Sequence, residues 1–253
     1  MCVLPHNHVT LRAFLLLILS VCFNGCVHPL TVPIETERLS DEHLPHHLLF
    51  VYLPGNGDPP AAFERHGLAA LVRERGIPAD IIAVNALLGY YDNGTILDRL
   101  KQDVIDPAKS AGYDRIWLIG NSLGAYGSLS YTARYPADIA GVVLLGAYAG
   151  ERGIIREIEQ AGGLKAWEPG KIEKKDWERQ LWSWLKSYDA RQPASAHIYL
   201  GFGRYDRFAY AQDLLATVLP PDRVAVIAGG HDWPTWKKLW GLLLSRISAN
   251  LEQ

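Results

Sequence analysis

Six short, nearly continuous apolar runs recur along this chain, and most are followed by a stretch with helical spacing. They are Leu48–Leu53, Ile81–Val84, Arg115–Ile119, Ile139–Leu145, His197–Phe202 and Val224–Ile227. An apolar run without polar alternation fits a strand covered on both faces. Such strands alternating with helices predict an α/β architecture, a mostly parallel sheet of about six strands with helices on both sides. Helical spacing covers Pro60–Gly76, the stripe Leu97, Leu100, Val104 and Ile105, Ala125–Tyr135, Tyr210–Leu219 and Trp233–Leu251. Pro107 is expected to kink or end the second of these. With 253 residues and 49% hydrophobic content, one large domain over 27–253 can bury a full core. A formal charge of −2 creates no field that would recruit nucleic acid.

The alternation pauses between about Ala149 and Pro193, a charged, tryptophan-rich segment. Trp177, Leu181, Trp184 and Tyr188 fall on one helical face by the three-to-four residue rule. The segment reads as a helical excursion over the strand ends. It is either a lid, with Trp184 and Trp177 forming an apolar wall of the substrate pocket, or a helix packed flat as extra core.

Residues 1–26 read as an export segment. His6, His8 and Arg12 give a weakly basic start, and Leu11–Phe23 is apolar but too short to span a bilayer comfortably. The three cysteines, Cys2, Cys22 and Cys26, all lie here. Gly25-Cys26 resembles the processing box of bacterial lipoproteins, which implies lipidation at Cys26 and a membrane-anchored, periplasm-facing protein; a simple signal peptide or uncleaved anchor is the alternative. Lipidated Cys26 would leave no thiol for an internal disulfide. Val27–His47 reads as a tether, offering little beyond Leu30–Ile34 for further strands.

The chemistry centres on Gly120-Asn121-Ser122-Leu123-Gly124, between an apolar run and a helix-like stretch. A nucleophile on a sharp strand-to-helix turn needs strained backbone angles and nearly side-chain-free neighbours two residues away. Asp206 and His231 each follow another strand, in Gly203-Arg204-Tyr205-Asp206 and Gly229-Gly230-His231-Asp232. Sites in open parallel sheets lie beyond the carboxyl ends of the strands, where all three residues fall.

The order Ser122, Asp206, His231 together with the elbow glycines resembles the α/β-hydrolase superfamily, of the esterase, lipase and thioesterase-like kind, over nearly the whole mature chain. The resemblance implies Ser122 as nucleophile, His231 as its base and Asp206 as the group that orients the imidazole. It also implies an oxyanion hole from the backbone N–H groups of Leu123 and of Asn56, in the turn Pro54-Gly55-Asn56-Gly57, with Gly57 the rival to Asn56. The activity implied is cleavage of a small carboxylic ester or thioester through an acyl-enzyme. The alternatives are acyl transfer by the same three residues and a silent binding protein on the same scaffold.

Each residue also has a plainer reading. Ser122 and Asp206 could be helix caps, Asp232 could replace Asp206 as the acid, and His66, His197, Asp58 and Asp92 are read as structural, loop or cap residues. His43, His46 and His47 lack metal-ligand spacing, and Gly55-Asn56-Gly57 lacks the Lys-Ser/Thr of a nucleotide loop, so neither metal nor cofactor is expected. Oligomeric state is left open by the sequence.

Overall fold

A computed structural model describes residues 32–40, 47–192 and 195–251 of the chain. The export segment and Cys26 lie outside these residues. Seven strands form one sheet: β1 (Thr36–Arg38), β2 (Leu48–Leu53), β3 (Ala79–Val84), β4 (Arg115–Asn121), β5 (Gly141–Leu145), β6 (His197–Gly203) and β7 (Val224–Ile227), in the order β1-β3-β2-β4-β5-β6-β7. The six strands foreseen from the apolar runs are all parallel. The seventh, β1, pairs antiparallel with β3 inside what reads as a tether. It escapes the sequence because its three residues, Thr36, Glu37 and Arg38, are all exposed and carry no apolar signal.

The pleat explains the continuous apolar runs. Leu49, Val51 and Leu53 of β2 face one core, with Ile116 and Leu118 of β4 and the helix Leu123–Arg134. Leu48, Phe50 and Tyr52 face the other, with Trp117, Ile119 and the closing helix Trp233–Leu251. Each fully buried side chain of this size contributes about 1.5–3 kcal/mol. The segment 96–110 does not end at Pro107: helix Ile96–Leu100 widens into a π turn at Lys101–Ile105 and continues as Asp106–Ser110. A wider turn relieves the clash and the missing N–H that proline brings to a regular helix.

The excursion contains the helices Arg152–Gln160 and Trp177–Ser187. The second buries Leu181, Trp182 and Leu185 in the same core as the helix Leu123–Arg134. Its most deeply buried ring is Trp182, whose indole N–H donates to the Ala149 carbonyl at 2.7 Å. Among the described residues, no helix is long and apolar enough to cross a membrane.

The strand order places the reversal of the winding between β2 and β4. From β2 the chain moves to β3 on one side, then returns to β4 on the other. The loop after β2 and the turn after β4 therefore open onto one crevice, the position at which doubly wound sheets bind ligands.

Candidate active site

Ser122 ends β4 in a backbone conformation that few side chains tolerate, φ 51° and ψ −116°. It is the only non-glycine residue with positive φ among the described residues, and such a position costs on the order of 1–3 kcal/mol. Backbone bonds to the end of β5 and its following loop hold it there. Its N–H donates to the Leu145 carbonyl at 3.0 Å, and its carbonyl accepts from the Tyr148 N–H at 3.1 Å. The flanking glycines are required by contact. A Cβ on Gly120 would stand 2.4 Å from the Gly124 carbonyl oxygen, and one on Gly124 would stand 2.0 Å from that of Leu53. The helix that starts at Leu123 is thus pressed onto the end of β2.

The three residues singled out by the sequence meet in one hydrogen-bonded line. Ser122 Oγ lies 2.9 Å from His231 Nε2, and His231 Nδ1 lies 2.8 Å from Asp206 Oδ2. A carboxylate only accepts, so Nδ1 carries the hydrogen and Nε2 is free to take the serine proton. The imidazole is gripped edge-on by two rings, Phe208 and Trp236, each with its centroid 5.0 Å away. Asp206 is buried, 5% exposed. Its other oxygen accepts the Phe208 N–H at 2.8 Å, so Asp206 serves both as a turn cap and as the partner of His231. Asp232 plays a different part. Its carboxylate accepts the Thr235 N–H at 2.9 Å at the head of the closing helix. That backbone bond, reinforced by the Thr235 hydroxyl, holds its carboxyl below the usual range. The rival acid is a helix cap.

Ser122 and His231 open onto a cleft of about 630 Å³, lined also by Asn56, His66, Arg207 and Trp233. Asn56 lines the same cleft as Ser122, and Leu123 begins the first turn of a twelve-residue helix whose positive end faces Ser122. His66 lies flat on Trp233 with ring centroids 4.1 Å apart and belongs to the cleft wall. Asp58 likewise lines the cleft and accepts from the Asn121 amide at 3.4 Å.

The two tryptophans of the excursion separate. Trp177 packs on Tyr126 at 4.6 Å and lies 6.1 Å from Tyr148, which meets Phe208 and through it His231. It starts an aromatic row that reaches the imidazole through Tyr148 and Phe208, and it is not itself among the cleft residues. Trp184 instead packs against Tyr188 at 5.5 Å and is not among the cleft residues. The helix turns Trp182 inward, and the stripe drawn from Trp177 through Trp184 misplaces the buried face, centred on Leu181, Trp182 and Leu185, by roughly a fifth of a turn. Burial raises the Tyr148 hydroxyl well above its ordinary range, so it donates to Glu151 and Glu178 at 3.0 and 3.1 Å.

One important residue went unmarked in the sequence. Asn121 was read only as a spacer in the pentapeptide, yet it is fully buried and hydrogen-bonded to Tyr52 and Gly55. A polar amide at the inner end of an apolar strand is itself a signal, because a buried amide needs partners. Among the described residues, no three His, Cys, Asp or Glu side chains are grouped to hold a metal ion.

Sheet order, elbow and the three loops together define the α/β-hydrolase fold. Solved structures bear this out. The chain is similar to fluorophosphonate-binding serine hydrolase F of Staphylococcus aureus, at 15% identity and a TM-score of 0.57, over 86% of this chain and 100% of that one. An S-formylglutathione hydrolase from Staphylococcus aureus matches at 15% identity and a TM-score of 0.56, over 79% and 81% of the two chains. An α/β-hydrolase enzyme from the metagenome of lagoon sediments at Mar Chica, Morocco, matches at 15% identity and a TM-score of 0.55, over 87% and 96%. No protein-family model matches the chain, and no curated protein matches it by sequence.

Proposed function

We propose that this protein is a serine hydrolase that cleaves a carboxylic ester or thioester through an acyl-enzyme intermediate. The observation that carries the reading is the line from Ser122 through His231 to Asp206, held at 2.9 and 2.8 Å by three separate loops. A serine hydroxyl is a weak nucleophile near neutral pH and needs a base in contact. His231 Nε2 takes the hydroxyl proton as Ser122 Oγ attacks the acyl carbon, and returns it to the leaving alcohol or thiol. Asp206 keeps the hydrogen on Nδ1 and stabilises the imidazolium. The N–H groups of Asn56 and Leu123 receive the oxyanion, a donor pair whose loss typically costs about 3–4 kcal/mol per member. Water repeats the sequence on the acyl-enzyme. The names of the similar structures, a fluorophosphonate-binding serine hydrolase and an S-formylglutathione hydrolase among them, agree with this chemistry.

Labelling with a fluorophosphonate probe tests the reading. Wild-type protein is expected to be labelled and to hydrolyse p-nitrophenyl esters, with both lost in Ser122→Ala, a fall on the order of 10⁴ or more in kcat. An unlabelled wild type would end the catalytic interpretation, and labelling without ester turnover would direct attention to acyl transfer. The export segment completes the proposal: Cys26 is the lipidated residue that anchors the enzyme at a periplasm-facing membrane. Radiolabelled palmitate should enter the wild type and not Cys26→Ser; equal incorporation would remove the anchor.

A further inference from the structure

The side chain of Asn121 holds both ends of the turn that carries Asn56. Its Oδ1 accepts the Tyr52 hydroxyl at 2.6 Å and the Gly55 N–H at 3.0 Å, and its Nδ2 donates to Asp58 Oδ2 at 3.4 Å. Gly55 and Asp58 are the two ends of one four-residue turn, closed by the Asp58 N–H on the Gly55 carbonyl at 3.1 Å. Gly57 has φ 83° and Asn56 lacks a positive φ, which makes this a type II turn with Asn56 at its first central position. The orientation of the amide follows from its partners, since the Gly55 N–H can only donate. Burial raises the Tyr52 hydroxyl well above its ordinary range, so it too arrives as a donor. The loop lies directly on the elbow: a Cβ on Gly55 would stand 2.9 Å from Asn121 Nδ2 and 3.3 Å from the Ser122 Cβ. The Gly55 N–H is consumed by Asn121, and of the two central residues of the turn Asn56 lines the cleft while Gly57 does not.

We infer that Asn121 is a positioning residue: it locks the Asn56 amide at a fixed separation from the Ser122 hydroxyl, so that nucleophile and oxyanion donor move as one body. The inference rests on the proposed hydrolase chemistry and adds a residue that touches neither substrate nor reacting atoms. Asn121 is covalently joined to Ser122 and hydrogen-bonded to the loop after β2. It therefore couples the two strand ends on either side of the winding reversal.

A double-mutant cycle tests it. Asn56→Pro deletes the amide hydrogen at a turn position that favours proline, and is expected to lower kcat on a p-nitrophenyl ester about 10²- to 10³-fold. Asn121→Ala should lower kcat roughly 30-fold with KM within about twofold, the pattern of an interaction made in the transition state. The double variant should be no slower than Asn56→Pro alone. Losses that multiply, or a change confined to KM, would overturn the inference. Hydrogen exchange gives a second readout without catalysis: the amides of Gly55–Asp58 should exchange faster in Asn121→Ala, and an unchanged rate overturns the clamp whatever the activity. Should Asn121→Ala fail to fold, Asp58→Ala opens the outer end of the same clamp, with a smaller, about threefold loss of kcat that vanishes in the Asn56→Pro background; a loss that persists there overturns the inference. A wild type that is neither labelled nor active would remove the hydrolase reading, while the exchange experiment would still decide the clamp.

Discussion

The elbow that opens onto the cleft and the helical excursion that lies outside its lining are held in opposite ways. The elbow at Gly120–Gly124 is fixed by backbone: Ser122 is bonded through its own N–H and carbonyl to the end of β5, and both glycines sit where a single carbon would collide with main chain. The excursion is fixed by side chains, several of them charged. Arg179 makes a two-pronged pair with Glu157 at 2.6 and 2.8 Å, a further bond to Asp176 at 3.0 Å, and Glu157 also accepts the Trp167 indole at 2.8 Å. Backbone interlock tolerates almost no substitution and is indifferent to pH. Side-chain interlock tolerates change and depends on ionisation. Ser122 stands on the first kind of support, and the excursion that carries Trp177 stands on the second.

The contrast is broken most severely at the chemistry itself. Asp206→Asn leaves the elbow intact but favours the wrong imidazole tautomer, and kcat on a p-nitrophenyl ester should fall about 10⁴-fold. Next in size is Gly124→Ala. Its methyl group meets the Leu53 carbonyl, and unfolding in urea should register a destabilisation of about 3 kcal/mol. A fall of less than half that would show that the interlock is softer than the contacts imply.

Acid should then separate the two supports. Hydrogen bonds from Arg179 hold the Glu157 carboxyl down to about 2. A carboxylate depressed in the folded state contributes stability above its unfolded range, and that contribution is lost as pH falls from the ordinary glutamate range toward 2. Glu157 is 44% exposed, so solvent screening keeps the effect modest. Hydrogen exchange over 152–187 should accelerate in that window before exchange at 120–124 does, and Glu157→Gln should remove the pH dependence. The smallest effect is expected at the two tryptophans. Trp177→Ala should change the ratio of short-chain to long-chain ester turnover severalfold, because its ring starts the row that reaches His231. Trp184→Ala should leave that ratio unchanged, in contrast to the lid expectation from sequence.

Much of this was legible in the residues themselves. Buried parallel strands announce themselves as apolar runs, and Leu48–Leu53 matches its strand residue for residue. Ser122, Asp206 and His231 could be picked out because glycine-bounded turns after strands are rare and mechanically motivated. Edge strand β1 was not visible, since solvent on both faces removes the pattern that marks a strand. Trp182 was passed over for Trp184 because the two rings stand only two positions apart on that helix, and only the neighbouring elements decide which one is buried. His66 and Trp233 are far apart in the chain, and nothing local in either says that their rings meet.

The winding reversal has a consequence for how much of this domain the chemistry needs. The loop carrying Asn56 and the turn carrying Ser122 spring from β2 and β4, which are directly paired. The strands that carry them are therefore one rung of the sheet apart, roughly 4.8 Å, a length set by peptide geometry and independent of domain size. Changes at the outer β3 and β1 edge leave the pairing of β2 with β4 in place, and with it the spacing of the two strand ends that flank the cleft.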